Sequence, residues 1–225
     1  MHTYGDRRRL LFWAAGLFVV GALITLMVEL GSTQEIDGAV FSWAGTIHMD
    51  GLTAVLKALT YLGNGVVLAP IALVVALLFW IRGDRLEAIF LIVGVVGVEV
   101  ANEGLKAVFD RPRPPGFGLI ELPESASFPS GHAMVGTCFY MLAIMLISRV
   151  TALPAFLSGI VTSIIMVAVC FSRIYLGVHY ASDVLTGLLL GLAWLLVTWH
   201  WYEGAVSRYR AFRSPPRIYV PRSYN

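Results

Sequence analysis

Five stretches of this chain, residues 10–28, 58–81, 125–148, 150–172 and 184–202, contain no Asp, Glu, Lys or Arg. Each is long enough to hold the ~20 apolar residues that take a helix across a bilayer. A sixth stretch, from about residue 85 to 109, is apolar from Ala88 through Val98 and then carries Glu99, Glu103 and Lys106. Charges inside a membrane helix face the protein interior or a water-filled cavity, where a partner offsets the cost of burial. The sixth stretch therefore points toward a site. Of the 225 residues 58% are hydrophobic and 13% charged, against about 25% charged in soluble domains, which excludes a water-soluble or disordered chain. The expected fold is all-α: one polytopic membrane domain over residues 1–225, with six spans near 10–30, 63–81, 86–109, 131–148, 153–173 and 183–202.

The basic start, Arg7 to Arg9, followed by an apolar run resembles a cleaved signal peptide. The run is too long for one and ends without a good small-residue cleavage site, so a retained first span is expected. Cys138 and Cys170 lie inside spans and are expected to be packing residues rather than a disulfide or metal ligands.

Six alternating spans put both termini on one side. That side collects Arg7, Arg8, Arg9, Arg82, Arg85, Arg149, Arg208, Arg210, Arg213, Arg217 and Arg222, eleven of the sixteen basic residues. Lys57, Lys106, Arg111, Arg113 and Arg173 fall on the other. Basic loops stay cytoplasmic, so both termini are expected in the cytoplasm of a cell membrane. The basic tail, 207–225, has no nucleic-acid motif and reads as an orientation signal resting on anionic headgroups; no nucleic-acid partner is expected. Between the first two spans, Ile36, Val40, Trp43, Ala44 and Ile47, and again Leu52, Val55, Leu56 and Leu59, recur at helical spacing. These are expected to be short amphipathic helices in the outer interface, with Trp43 at headgroup depth. Packing on the bundle and guiding lipid are both open to them.

Three segments on the outer side combine residue types that suit one task. Lys106 closes a helix that Pro112, Pro114 and Pro115 stop, with Arg111 and Arg113 between them. Pro129-Ser130-Gly131-His132 opens an apolar helix, and Ser172-Arg173 is followed by His179 and Asp183 across the last short connection. Taken singly, these are snorkelling anchors, a helix start and an i,i+4 pair. Taken together, Lys106, Arg113 and Arg173 suit a dianion, and Ser130 with the Gly131 and His132 amides offers it a helix N-terminus. The ligand implied is phosphate, with the side chains supplying the positive charge a metal would bring; no metal and no cofactor are expected. His179 with Asp183 four residues on is the pattern of an oriented nucleophile or base. His132 is placed to protonate the leaving oxygen and then to take a proton from water, which predicts a bell-shaped pH dependence. Arg111 reads as a headgroup contact or a plain surface charge. Glu99 and Glu103 share a helix face with Lys106 and either support the cations or, for Glu103, pair with a neighbouring helix.

Lys106 to Pro114 matches K-x6-R-P, Pro129 to His132 matches P-S-G-H, and Ser172 to Asp183 matches S-R-x5-H-x3-D. In this the chain resembles the type 2 phosphatidic acid phosphatase (PAP2) superfamily, and within it bacterial phosphatidylglycerophosphate phosphatases B and undecaprenyl pyrophosphate phosphatases. The resemblance implies a metal-independent lipid phosphatase at the outer face working through phosphohistidine at His179. It assigns Asp183 to orient that ring, His132 to acid and base work, and Lys106, Arg113, Ser130, Gly131 and Arg173 to phosphate. Undecaprenyl pyrophosphate and phosphatidylglycerol phosphate both fit as substrates. The same residues would serve a lipid phosphotransferase, and a transporter is the non-enzymatic alternative. Oligomeric state is unreadable, since Gly187 and Gly191 suit packing within one chain as well as between chains.

Overall fold

The computed structural model describes residues 4–213, and among these all regular structure is helical. Eight α-helices follow in order: α1 (Tyr4–Glu29), α2 (Gln34–Thr46), α3 (Asp50–Thr60), α4 (Gly65–Arg82), α5 (Arg85–Phe109), α6 (Gly131–Val150), α7 (Ala155–Tyr175) and α8 (Ala181–Arg213). A 3-10 turn, Tyr61–Gly63, joins α3 to α4. Helices α1, α4, α5, α6, α7 and α8 are long and apolar enough to cross a membrane. They correspond to the six expected spans, and the chain is a multi-pass membrane protein. The last helix runs further than its span, so residues 207–213 of the basic tail continue it; residues 214–225 lie outside the described part.

Helices α6 and α8 form the centre: 56% of the apolar window of each is buried, against 11% for α1. Leu142, Leu146, Cys138 and Phe139 of α6 pack with Leu91 and Val98 of α5 and with Trp199 and Tyr202 of α8. Phe12, Trp13 and Phe18 of α1, Leu73 of α4 and Phe156 and Val167 of α7 point outward, each at least 60% exposed. An apolar belt of that extent is tolerable only in lipid.

Without a hydrophobic force between helices in lipid, small residues decide where backbones approach. A Cβ on Gly187 would lie 2.6 Å from the carbonyl oxygen of Ser130, and one on Gly191 would strike the carbonyl of Met134. Gly187 and Gly191 therefore serve packing within the chain and seat α8 against the first turn of α6. Backbone cannot yield as a flexible side chain does. Gly191→Val should separate the two helices, costing about 3 kcal/mol or more, while Gly16→Ala, with nothing within 4 Å, should be neutral; thermal unfolding in detergent compares them.

The short helices pack on the bundle with one face and leave the other exposed. Asp37 and Ala44 of α2 and Leu56 and Thr60 of α3 are buried, with Leu56 against Tyr175, Leu176 and Val178. Ile36, Trp43 and Val55 face outward. Helix α2 is thus turned so that Asp37 and Ala44 are its buried residues, while Ile36 and Trp43 are more than half exposed.

Candidate active site

Two of the three motif segments reach the site through a local helix stop, and the third opens a helix. Helix α5 ends where Asp110 takes a left-handed conformation (φ 36°), and the extended chain beyond it is pinned back by a hydrogen bond from Ser127 N to the Arg111 carbonyl, 2.8 Å. Helix α7 ends in a Schellman turn: Gly177, at φ 71°, donates to the Ile174 carbonyl (3.0 Å) and Val178 donates to that of Arg173 (3.2 Å). Gly is suited to that left-handed position. This turn explains the five-residue gap: Arg173 stays on the last turn of α7 and His179 is carried back toward it. Asp183 follows on the first turn of α8, and its carbonyl accepts from Ser130 N, 3.1 Å, which locks α8 to the N-terminus of α6.

A cavity of about 230 Å³ is lined by Lys106, Arg113, Gly131, His132, Arg173 and His179, together with Glu99, Asn102 and Glu103 of α5. The predicted cations and both histidines thus line one cavity. Ser130 occupies the N-cap position of α6 in an extended conformation without a side-chain cap bond, fully buried and outside the lining, with its Oγ unpartnered. Lys106 Nζ donates to Glu103 Oε1 at 2.9 Å, so Glu103 pairs along its own helix rather than with a neighbouring one. Arg173 is 3% exposed. It donates from Nη1 to Thr60 Oγ1 at the end of α3 (2.6 Å) and has an unpartnered Nε. The close approach of Gly63, whose Cβ would lie 2.8 Å from His132 Cδ2, sets the rear wall behind that ring.

The histidine at the floor has a definite tautomer. Arg113 Nη1 lies 3.1 Å from His179 Nε2, and a guanidinium only donates, so Nε2 is the bare nitrogen and Nδ1 carries the proton. Nδ1 faces Asp183 Oδ2 at 3.5 Å and Ser127 Oγ at 3.4 Å. Ser127 donates to the same Asp183 oxygen at 2.6 Å, so the hydroxyl sits between ring and carboxylate. Burial pushes the His179 imidazole down to about 4, and the Arg173 and Arg113 charges act the same way against the opposing pull of Asp183. Arg113 also donates to the carbonyls of Ser125, Ala126 and Val178; burial draws its guanidinium below the usual value, with Asp183 limiting the fall.

Arg111 is neither a headgroup contact nor a plain surface charge. Its Nη1 donates to Asp183 Oδ1 and to Ser182 Oγ (2.8 Å), its Nη2 to Asp37 Oδ2 (2.8 Å), and its guanidinium lies over the Tyr180 ring, 4.4 Å from the centroid. Asp37, 2% exposed, in turn accepts from Ser182 N (3.0 Å) and Ser182 Oγ (2.6 Å). Burial opposes the Arg111 charge, but Asp183 and Asp37 outweigh it and raise its pKa. Asp183 is thus held by Arg111, Ser127 and the Tyr180 amide (2.9 Å). Asp37, Ser127, Ser182, Thr60 and Asn102 were not singled out by the sequence. The one available signal was the doubled Arg-Pro of Arg111 to Pro114, in which only the second arginine belongs to the K-x6-R-P pattern.

Among the described residues no group of three or more His, Cys, Asp or Glu side chains converges as a metal site. The assembled chemistry is an anion site made of side-chain cations and a helix N-terminus, with an unprotonated imidazole nitrogen at its base.

The chain is 29% identical over 179 residues to phosphatidylglycerophosphatase B of Bacillus subtilis (strain 168), covering 78% of this chain and 88% of the relative. It is 27% identical over 196 residues to an undecaprenyl-diphosphatase of Sulfolobus acidocaldarius, covering 84% and 89%. The crystal structure of the transmembrane PAP2-type phosphatidylglycerolphosphate phosphatase from Bacillus subtilis superposes with a TM-score of 0.80 at 26% identity, over 90% of this chain and 100% of that one. Residues 87–207, which carry all three motif segments, match the PAP2 superfamily, and the chain is a member of that family of phosphatases.

Proposed function

We propose that this single-domain protein hydrolyses the terminal phosphate of a membrane-anchored lipid phosphate or diphosphate through a phosphohistidine on His179. Undecaprenyl diphosphate and phosphatidylglycerol phosphate are the candidate substrates. The observation that carries the reading is the bare Nε2 of His179 beside Arg113, in a cavity shared with Lys106, Arg173 and His132. Nε2 attacks phosphorus, the bond to the leaving oxygen breaks, and His132 gives that oxygen a proton. Water then attacks the phosphohistidine, its proton goes to His132, the N–P bond breaks and phosphate leaves. Lys106, Arg113, Arg173 and the Gly131 and His132 amides stabilise the charge on the transferring group, and Ser130, at the N-cap position without a side-chain cap bond, precedes the turn that presents those amides. Ser127 and Asp183 hold the ring, with Arg111 and Asp37 positioning Asp183. The bias of basic residues supports a site on the extracytoplasmic face with both termini cytoplasmic.

A phosphate-release panel on the detergent-purified protein tests this, comparing undecaprenyl diphosphate, phosphatidylglycerol phosphate, phosphatidic acid and a soluble phosphate ester. Lipid substrates should be cleaved, and with a chelator present, because the side chains supply the cations. A strict requirement for a divalent ion, or turnover confined to the soluble ester, would contradict the reading.

The low pKa of His179 adds a pH prediction. The reactive ring is the neutral one, so activity is lost as pH falls through the ring's own value, about 4, rather than through the ordinary imidazole value of about 6.5. At pH 5.5 an ordinary ring would be about one-tenth neutral, whereas this one should remain almost wholly so. The acid limb of kcat/KM should accordingly lie well below 6.5 once the ionisation of the substrate phosphate, titrated separately by phosphorus NMR, is divided out. An acid limb at 6.5 would count against His179 as the attacking base.

A further inference from the structure

The α5 wall of the cavity has a chemistry opposite to the rest of it. Glu99, Asn102 and Glu103 line it beside Lys106, and two of the three are carboxylates that, ionised, only accept hydrogen bonds. Asn102 is 1% exposed and gives its Nδ2 to Glu103 Oε1 at 3.1 Å. That contact settles which way the amide is turned, since its oxygen cannot face a carboxylate. The Oδ1 so directed away is buried and has no partner. An unmatched buried acceptor is costly, and a phosphate oxygen, another acceptor, cannot satisfy it. The wall stands directly beside the anion site: a Cβ on Gly131 would lie 3.1 Å from Asn102 Nδ2, and Glu103 Oε1 also takes Lys106 Nζ.

A ligand that places phosphate on Lys106 and Gly131 therefore meets acceptors next to its bridging oxygen. We propose that Glu99, Asn102 and Glu103 form a hydroxyl-recognition edge selecting phosphomonoesters whose phosphate sits on a polyol, with a free hydroxyl on the neighbouring carbon. This rests on the lipid phosphatase reading above and narrows it. In a polyol ester the neighbouring hydroxyl donates to Asn102 Oδ1 or to a carboxylate, and the leaving group departs as a neutral alcohol after protonation. In a prenyl diphosphate the same space receives a second phosphate, which brings further negative charge toward Glu99 and Glu103 and offers no hydroxyl. A site built to bond a hydroxyl discriminates against the analogue lacking it, because its own polar groups are then left unpaired.

The test uses the full chain in detergent and three substrates: dioctanoyl phosphatidylglycerol phosphate, its analogue lacking the free headgroup hydroxyl, and farnesyl diphosphate. Wild type should favour the hydroxyl-bearing ester over the deoxy analogue by about tenfold or more in kcat/KM, as expected for a hydrogen bond to a charged or buried acceptor. It should favour the same ester over the diphosphate at least as strongly. Asn102→Leu and Glu99→Ala should each bring the first ratio toward one, and Glu99→Ala should also relax discrimination against the diphosphate. Losses common to all substrates cancel in a ratio, and Glu99 is exposed, so its variant carries the test if Asn102→Leu does not fold. A wild-type ratio near one, or a ratio unchanged in the variants, overturns the hydroxyl edge while leaving the phosphatase reading standing. Absence of phosphate release from all three lipids by wild type overturns both.

Discussion

His179→Ala should lower phosphate release by at least about 10⁴-fold, the scale seen when a covalent catalyst loses its nucleophile, and should do so in a folded protein. Incubation of wild type with substrate labelled in the terminal phosphate, followed by an alkaline quench, should leave label on the chain; the variant should take up none. The expectation of a retained fold comes from the network beneath the ring. Asp183 keeps Arg111, Ser127 and the Tyr180 amide after the imidazole is gone, and Arg113 keeps three backbone carbonyls. Neither charge is stranded, so unfolding temperatures of variant and wild type should lie close together. Label in the variant, or turnover near the wild-type rate, would remove His179 from the nucleophile's role.

Arg111→Leu should be the most damaging change at a residue that does not line the cavity. It would leave two carboxylates, Asp37 at 2% and Asp183 at 0% exposure, without their shared cation. Breaking a buried ion pair from one side costs about 3–5 kcal/mol. Stability should fall by that order, and with Asp183 no longer clamped the His179 ring should lose its alignment. A displacement of about 1 Å at reacting atoms is enough for a ~10²-fold loss, expected in kcat rather than KM because Arg111 does not line the cavity. Combining Arg111→Leu with Asp37→Asn separates the two effects. The double variant should regain part of the stability, since one unmatched buried charge is removed, but not the rate, since Asp183 still lacks its clamp. Thermal unfolding and steady-state kinetics on the four proteins of the cycle give both answers, and an unchanged kcat in Arg111→Leu would show that Asp183 needs no such support.

What could be read from the chain divides by sequence distance. The six spans follow from long uncharged runs, and Lys106, Arg113, His132, Arg173, His179 and Asp183 from short motifs whose spacing is set by helix ends and one Schellman turn. Ser182 and Asp37 are 145 positions apart, and no local pattern announces their contact. Helix α2 was harder still. Its apolar spacing suggests an interfacial helix with Trp43 at headgroup depth, which suits the exposure of Ile36 and Trp43, but gives no sign that Asp37 is the polar residue turned into the bundle. Ser127 is one of several serines in its loop, distinguished only once Asp183 is seen 2.6 Å away. Asn102 sits between two glutamates on a helix turn, and its meaning depends on the wall that Gly131 forms opposite it.

The unbroken last helix bears on how such a site tolerates bilayers of different thickness. At about 1.5 Å per residue, its 33 residues make a rod of about 50 Å, some 20 Å longer than a typical hydrocarbon core. Its start is tied to α6 and α2 by Asp183 and Ser182, whereas its far end carries Arg208 and Arg210. A thinner or thicker membrane therefore meets more or less of a charged shaft at the end remote from the chemistry. On the proposed mechanism the depth of His179 is set at the tied end of this helix, and variation in thickness is met at the other end.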